Sequence, residues 1–455
     1  MIGWILNLGS ICTRSINFDT KNLREKLTVN TGIEFWYCTR LELEREQGKP
    51  HYGRFVREAI KTLFSGRFSR HPPELPRAEF LFVVITENHI KHFRPVAAAL
   101  ARRNHSFSIV YTSEPLFQKY EAEWPGISFS IQSWVGQGQY FRAVRFQTAL
   151  LLKHAFSSAR EKSVIIRFAK QAYLIHQTML RLLSGAPKKV VLFKAEAYQA
   201  NAILLACKQL KTPSFAIQHG LIGDTDQVSN LSVDKYLVWS ELFKKRLEQR
   251  QAGCQVLITG NAAYDAVFQE VEKRGTQKLP PAPLRILVLP SAGASHTPLA
   301  HVHLLLDAVL HFAQHNPTAI ITLKPHPADH AGNVQAYLLP ALAAYPNICL
   351  LDRFEPVPFE NHHIVAINNS GAGMESCIWG RPLLVFSPSW EEVQVKQYIE
   401  RAVAEFADST AAFSDKILKI KANYSVYQEK CRAFTEGQLA FHGMAAEKIV
   451  EVLTC

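Results

Sequence analysis

The run Phe80-Leu-Phe-Val-Val-Ile85 contains no polar side chain, and it is too short for a buried helix. A strand with one wet face would alternate, so this run demands a strand covered on both faces, the habit of parallel sheets flanked by helices. Similar, mostly apolar runs return at 107–111, 188–193, 214–217, 235–239 and 255–258, then at 285–289, 319–323, 348–351, 363–367 and 382–386. Helical stretches separate most of these runs, for example the Ala-rich segment after Pro95 and the segment 300–314. Strand, loop, helix and strand in repetition predict an α/β fold of doubly wound sheets. The segment 390–455 reads as amphipathic helix.

A chain of 455 residues exceeds what one core usually organises. The Pro-rich stretch Gln277-Lys-Leu-Pro-Pro-Ala-Pro283 divides the strand runs into two series and reads as a linker. We therefore expect a Rossmann-like domain over 77–276 that takes an acceptor and a second over 284–400 that takes a donor. A basic extension (1–76) precedes them and a helical tail (401–455) follows. In the extension, Arg54, Arg57, Lys61, Arg67 and Arg70 alternate with Tyr52, Phe55, Phe64 and Phe68. That pattern suits a helix with a solvated basic face, or a patch for an anionic acceptor or membrane.

Lys and Arg outnumber Asp and Glu by 51 to 39, a net charge of +12 that favours anionic partners. No nucleic-acid-binding motif accompanies the charge, so nucleic acid is not an expected partner. The eight cysteines are scattered without a CxxC pair, as in a reducing compartment. No run approaches a membrane span, and the start lacks a basic leader region. These features lead us to expect a cytoplasmic protein, with peripheral contact at the inner face of the membrane left open.

Polar residues just past strand ends carry the candidate chemistry, because ligands of open α/β sheets bind there. Leu323-Lys-Pro-His-Pro-Ala-Asp329 fixes His326 between two prolines, beside Lys324. Either His326 meets a phosphate with Lys324 adding charge, or it is a turn histidine capping a helix. In Asn369-Ser-Gly-Ala-Gly-Met-Glu375, the small residues Ser370, Gly371 and Gly373 would let a phosphate reach backbone amides, with Glu375 available to ribose hydroxyls. A tight strand–helix turn is the plainer alternative. Ser291 follows the first strand of the second series and would add a donor to a diphosphate. In the first series, Gln218 and His219 follow one strand, Glu196 another, and Glu87, Asn88 and His89 a third. Glu196 suits a base or nucleophile, or simply a first-turn helix carboxylate. His219 suits a cleft group or a satisfied core histidine. The Thr259-Gly-Asn261…Asp265 segment reads as structural. His301/His303 and His362/His363 lack the further ligands of a metal site, and no cofactor is expected.

The order Gln218-His-Gly220, Thr259-Gly-Asn261…Asp265, Lys324-Pro-His-Pro327 and Asn369-Ser-Gly-Ala-Gly373…Glu375 resembles bacterial surface-polysaccharide glycosyltransferases of the two-Rossmann, GT-B type. The resemblance is greatest to the capsule-synthesis group that includes Kdo transferases, and looser to sialyltransferases and CDP-glycerol glycerophosphotransferases. It implies two domains facing a cleft, a nucleotide-sugar donor and a glycan or glycolipid acceptor. It further implies that His326, Ser370 and Gly371 hold the donor phosphate, Glu375 lies near the ribose and Glu196 serves catalysis. The segment around Glu196 departs from the aspartate-centred pattern of those enzymes. UDP-N-acetylglucosamine 2-epimerases look similar at 259–261 and 370–375 and supply the alternative activity. A glycan-binding scaffold of the same fold is the non-enzymatic one.

Overall fold

The structure, a computed structural model, describes residues 77–455 except 136–138, 141, 144–145, 148–169, 186–188, 194, 196, 221–232, 250–252, 275–281, 293–296, 328, 330 and 394. The extension 1–76, most of the linker and Glu196 therefore lie outside the described residues.

The first sheet contains β1 (Phe80–Val84), β2 (Phe107–Tyr111), β3 (Ser128–Ser130), β4 (Lys189–Leu192), β5 (Ser214–Ile217), β6 (Lys235–Val238) and β7 (Gln255–Ile258). Its order is β3-β2-β1-β4-β5-β6-β7, and every pairing is parallel. The second contains β8 (Arg285–Leu289), β9 (Ile320–Leu323), β10 (Ile348–Leu350), β11 (Ile364–Ile367), β12 (Leu383–Phe386) and β13 (Ala404–Ala407), in the parallel order β10-β9-β8-β11-β12-β13. The two Rossmann-like domains expected from the sequence are present. All five side chains of β1 are fully buried, each contributing about 1.5–3 kcal/mol. Strand order reverses between β1 and β4 and between β8 and β11, which places a crevice at the C-terminal ends of those strands.

The helices that bear on the crevice and its supports are α1 (Asn88–Arg102), α2 (Tyr198–Leu210), α3 (Asn333–Leu342), α4 (Ala372–Ile378), α5 (Thr410–Ala422), α6 (Tyr424–Gln438) and α7 (Ala445–Thr454). The expectation of a wholly helical 390–455 is corrected by β13. That strand is an edge, where Glu405 faces Lys416, Lys419 and Tyr427 and so hides the apolar signature. Helix α5 packs its Phe413, Ile417 and Ile420 into the second core, whereas α7 returns to the first and buries Ile449, Val450 and Leu453 with Phe80 and Val96. Asp265 fixes this return, accepting hydrogen bonds from the Ala445 and Ala446 amides at 3.0 and 2.8 Å. Gly260, at φ +77, lies against the Ala440 carbonyl with no room for a Cβ.

Candidate active site

In the second domain the His-Pro turn is held from below. Asp329 is buried and accepts from the backbone amides of Asn333 and Val334 at 2.9 and 3.0 Å, capping α3. The capping task proposed for His326 thus belongs to Asp329. His326 stays partly exposed at the end of β9. Arg353 ties the turn to the loop after β10 by donating to the Asp329 carbonyl at 2.7 Å. Lys324 is buried and donates to the Arg353 carbonyl at 3.0 Å. Burial pulls its ammonium below the ordinary lysine range, against the opposing pull of Asp352, Glu355 and Glu375.

The Asn-Ser-Gly turn lies at the switch point, just past β11. Ser370 Oγ accepts from the Ala372 amide at 3.2 Å, and Asn369 donates to the Glu392 carbonyl at 3.0 Å. Across from it, past β8, Ser291 is 2% exposed and its hydroxyl has no partner among the described residues. The Asn368 side-chain oxygen is in the same condition, although its amide donates to the Phe386 carbonyl at 3.1 Å. Native proteins rarely leave such groups unsatisfied. Gly371 is exposed, whereas Gly373 is buried for another reason: a Cβ there would lie 2.7 Å from the Tyr398 ring. Glu375 presents a carboxyl raised by burial and drawn back down by Lys324 and by Lys91 of the first domain. Charges from both domains therefore act on one carboxylate.

The first-domain wall is built of imidazoles. His89, in the first turn of α1, is fully buried, and its Nδ1 accepts from the Ile85 amide at 3.3 Å, which leaves the proton on Nε2. Its ring meets His219 edge-on at 5.0 Å. One turn along α1, His92 donates from Nδ1 to Asn261 Oδ1 at 3.0 Å, an oxygen identified by the Ala263 amide it also accepts. Burial, followed by the charge of Lys91 and by His219, pushes His92 down to about 3, so its imidazole is neutral. Gln218 is occupied with the backbone: its oxygen accepts from the Trp239 amide at 3.0 Å and its amide donates to the Gly220 carbonyl at 2.9 Å. It braces the turn that carries His219. Glu87 is drawn outward to Lys119 and Tyr120, and Asn88 is exposed at the start of α1.

The structure thus unites His89 with His219, and Ser291, Asn369 and Ser370 at the second switch point, with Lys324 and Glu375 coupled beside them. It turns Glu87 away. Within the segment after β1, sequence reasoning singled out residues 87–89 and gave no role to Lys91 or His92, and it read Asn261 as structural. The i, i+3 spacing of His89 and His92 on one helix was the available signal.

Among the described residues, no group of three or more His, Cys, Asp or Glu is arranged to hold a metal ion, and no helix is long and apolar enough to cross a membrane. Residues 294–394 match the family model described as capsule polysaccharide biosynthesis protein. No curated protein matches the chain in sequence. Among solved structures, the UDP-GlcNAc 2-epimerase of Neisseria meningitidis bound to UDP-GlcNAc aligns with a TM-score of 0.57 and 16% identity, over 82% of this chain and 99% of that one. The enzyme of the same name from Methanocaldococcus jannaschii aligns at 0.54 and 14% identity, again over 82% and 99%. The S. aureus MnaA–UDP structure aligns at 0.55 and 14%, over 82% and 94%. At such identities the likeness carries the fold alone. The chain therefore has the two-Rossmann, GT-B-type fold, and over residues 294–394 it is similar to capsule polysaccharide biosynthesis proteins.

Proposed function

We propose that the protein transfers a glycosyl group from a nucleotide-activated donor, a CMP-linked acidic sugar fitting best with the resemblance, to a surface polysaccharide or glycolipid acceptor. The observation that carries this reading is the pair of buried, unpartnered polar groups at the second switch point, Ser291 Oγ and Asn368 Oδ1. A phosphate-bearing ligand with hydroxyl groups would satisfy both. His326, with the charge of Lys324 behind it, would stabilise the phosphate as the bond from the anomeric carbon to the phosphate oxygen breaks. That charge grows toward the transition state, so its stabilisation accelerates transfer. Glu375 would accept from the ribose hydroxyls. On the opposite wall, His219 beside His89, or Glu196, would take the acceptor hydroxyl proton.

A calorimetric and thermal-shift panel of CMP, CDP, UDP, GDP and ADP tests the reading, because a ligand that binds the folded state stabilises it. Selective stabilisation by a cytidine nucleotide is the expected outcome. His326→Ala should then cost about tenfold in turnover, or ~1.4 kcal/mol. Glu196→Gln should keep nucleotide binding while losing transfer if Glu196 is the base. Selective stabilisation by UDP would move the reading toward hexose transfer or epimerisation. No stabilisation of well-folded protein by any nucleotide would overturn it in favour of a scaffold.

A further inference from the structure

The sheet end opposite the cleft holds a second concavity. Strands β4, β5, β6 and β7 begin at Lys189, Ser214, Lys235 and Gln255, and these four residues line a depression of about 1140 Å³. Because the strands are parallel, this end lies one strand length, about 13 Å, from the ends that carry His219 and Asn261. Lys208 and Lys211, at the close of α2, line it too, so that with Lys189 and Lys235 four lysines among the described residues face the depression.

Two of these ammonium groups are already oriented. Lys189 Nζ donates to the Leu453 carbonyl and lies 5.7 Å from the Phe80 ring centroid, while Lys235 Nζ lies 5.4 Å from that of Phe215. Holding cations in place before binding reduces the ordering cost of a ligand. Among the described residues two acidic side chains share the depression, Asp234 and Glu248, against four lysines, and Cys455 lines it as well. Asp234 is occupied, accepting from both the amide and the hydroxyl of Ser214 at 2.8 Å. Backbone amides at this end are similarly spent, as at Val190 and Gln255. Recognition therefore falls to lysine point charges, which suit phosphate. The volume is that of a small-ligand site.

We infer that this depression binds a compact ligand carrying phosphate charge, at a site separate from the cleft. The ligand is either free in solution or the headgroup of an anionic lipid. Cys254 lines the same depression and is partly exposed, so its alkylation reports occupancy; exposed Cys349, in the other domain, is the internal control. With the full chain, we expect sodium pyrophosphate to slow N-ethylmaleimide modification of Cys254 at least threefold relative to Cys349, read by peptide mass spectrometry. Lys211→Glu, at an exposed position, should abolish that protection, and Lys235→Gln should reduce it. His326→Ala should leave it intact. Protection by phosphatidylcholine vesicles containing phosphatidic acid, without protection by pyrophosphate, would assign the phosphate to a lipid. No protection from either probe overturns the site. So does protection that survives Lys211→Glu, or that vanishes in His326→Ala.

Discussion

His92 should make the protein sensitive to mild acid, and the size of that effect follows from its burial. Its imidazole titrates near 6.5 in an unfolded chain but is pushed down to about 3 in the fold, first by loss of solvation and then by Lys91 and His219. Between those values the unfolded state binds a proton that the folded state refuses, so stability rises with pH across that window and is complete above 6.5. At pH 5 the difference is about 1.5 pH units, or ~2 kcal/mol. In a domain of about 200 residues that lowers the melting temperature by about 4–8 °C. His92→Gln keeps a donor for Asn261 and removes the titration. Urea unfolding of wild type and His92→Gln between pH 7 and 5, followed by a first-domain signal such as Trp239 fluorescence, isolates the effect. The lost packing shifts the variant equally at every pH, so the difference in slope is the readout. Curves that run parallel from pH 7 to 5 would refute a neutral, desolvated His92 beneath the cleft.

Gly260→Ala would place a Cβ 2.2 Å from the Ala440 carbonyl oxygen and 2.8 Å from Ala445 Cβ at positive φ. A loss of about 3 kcal/mol is expected, with early release of α7 in limited proteolysis. Gly373→Ala would meet the Tyr398 ring at 2.7 Å and should cost about 1–3 kcal/mol. Tyr398→Leu in the same chain should recover part of that loss, and strict additivity in the double-mutant cycle would argue against the contact. Burial raises the Glu405 carboxyl, but hydrogen bonds from Lys419, Tyr427 and Lys416 bring it below the ordinary range. Its stabilisation is therefore present above the unfolded value near 4.5 and lost as pH falls through the folded value. Glu405→Gln should flatten acid unfolding below pH 4.5 in melts of the second domain.

The parallel sheets were legible because strands buried on both faces write a largely apolar run; Phe107–Tyr111 and Ser214–Ile217 are read to the residue. Ser128–Ser130 and Ala404–Ala407 were not, since Ser128 and Ser130 in the one and Glu405 in the other interrupt the apolar run. In the candidate site, sequence alone locates the polar groups that follow a strand closely, as do His219, Lys324, Asn369 and Ser291. The site was illegible wherever a residue's task is set by a distant segment. His92 meets Asn261 across 169 positions, and Asp265 meets Ala445 across 180. Gly373 shows the same limit. Its smallness suggested room for a phosphate, yet the space is taken by Tyr398 from a later helix.

The two walls of the cleft differ in a way that bears on which substrate each receives. The second-domain wall carries charge, with Lys324 and Glu375 acting on each other electrostatically and Ser291 and Asn368 left with unmet hydrogen-bonding capacity among the described residues. The first-domain wall carries buried imidazoles, His89 against the Phe193 ring and a neutral His92 hydrogen-bonded to Asn261. A phosphate transferred from water loses its solvation to whichever wall it meets, and the neutral wall offers no charge in return. A hydroxyl acceptor is uncharged and loses far less on desolvation. On the proposed glycosyl-transfer reading, this asymmetry would put the donor on the second domain and the acceptor on the first. Lys91 is the exception that joins them: it stands on the first-domain wall and acts on Glu375 of the second. Lys91→Gln should consequently raise the donor KM by relaxing Glu375 while leaving acceptor affinity unchanged. A loss confined to acceptor affinity would reverse the assignment of the two walls.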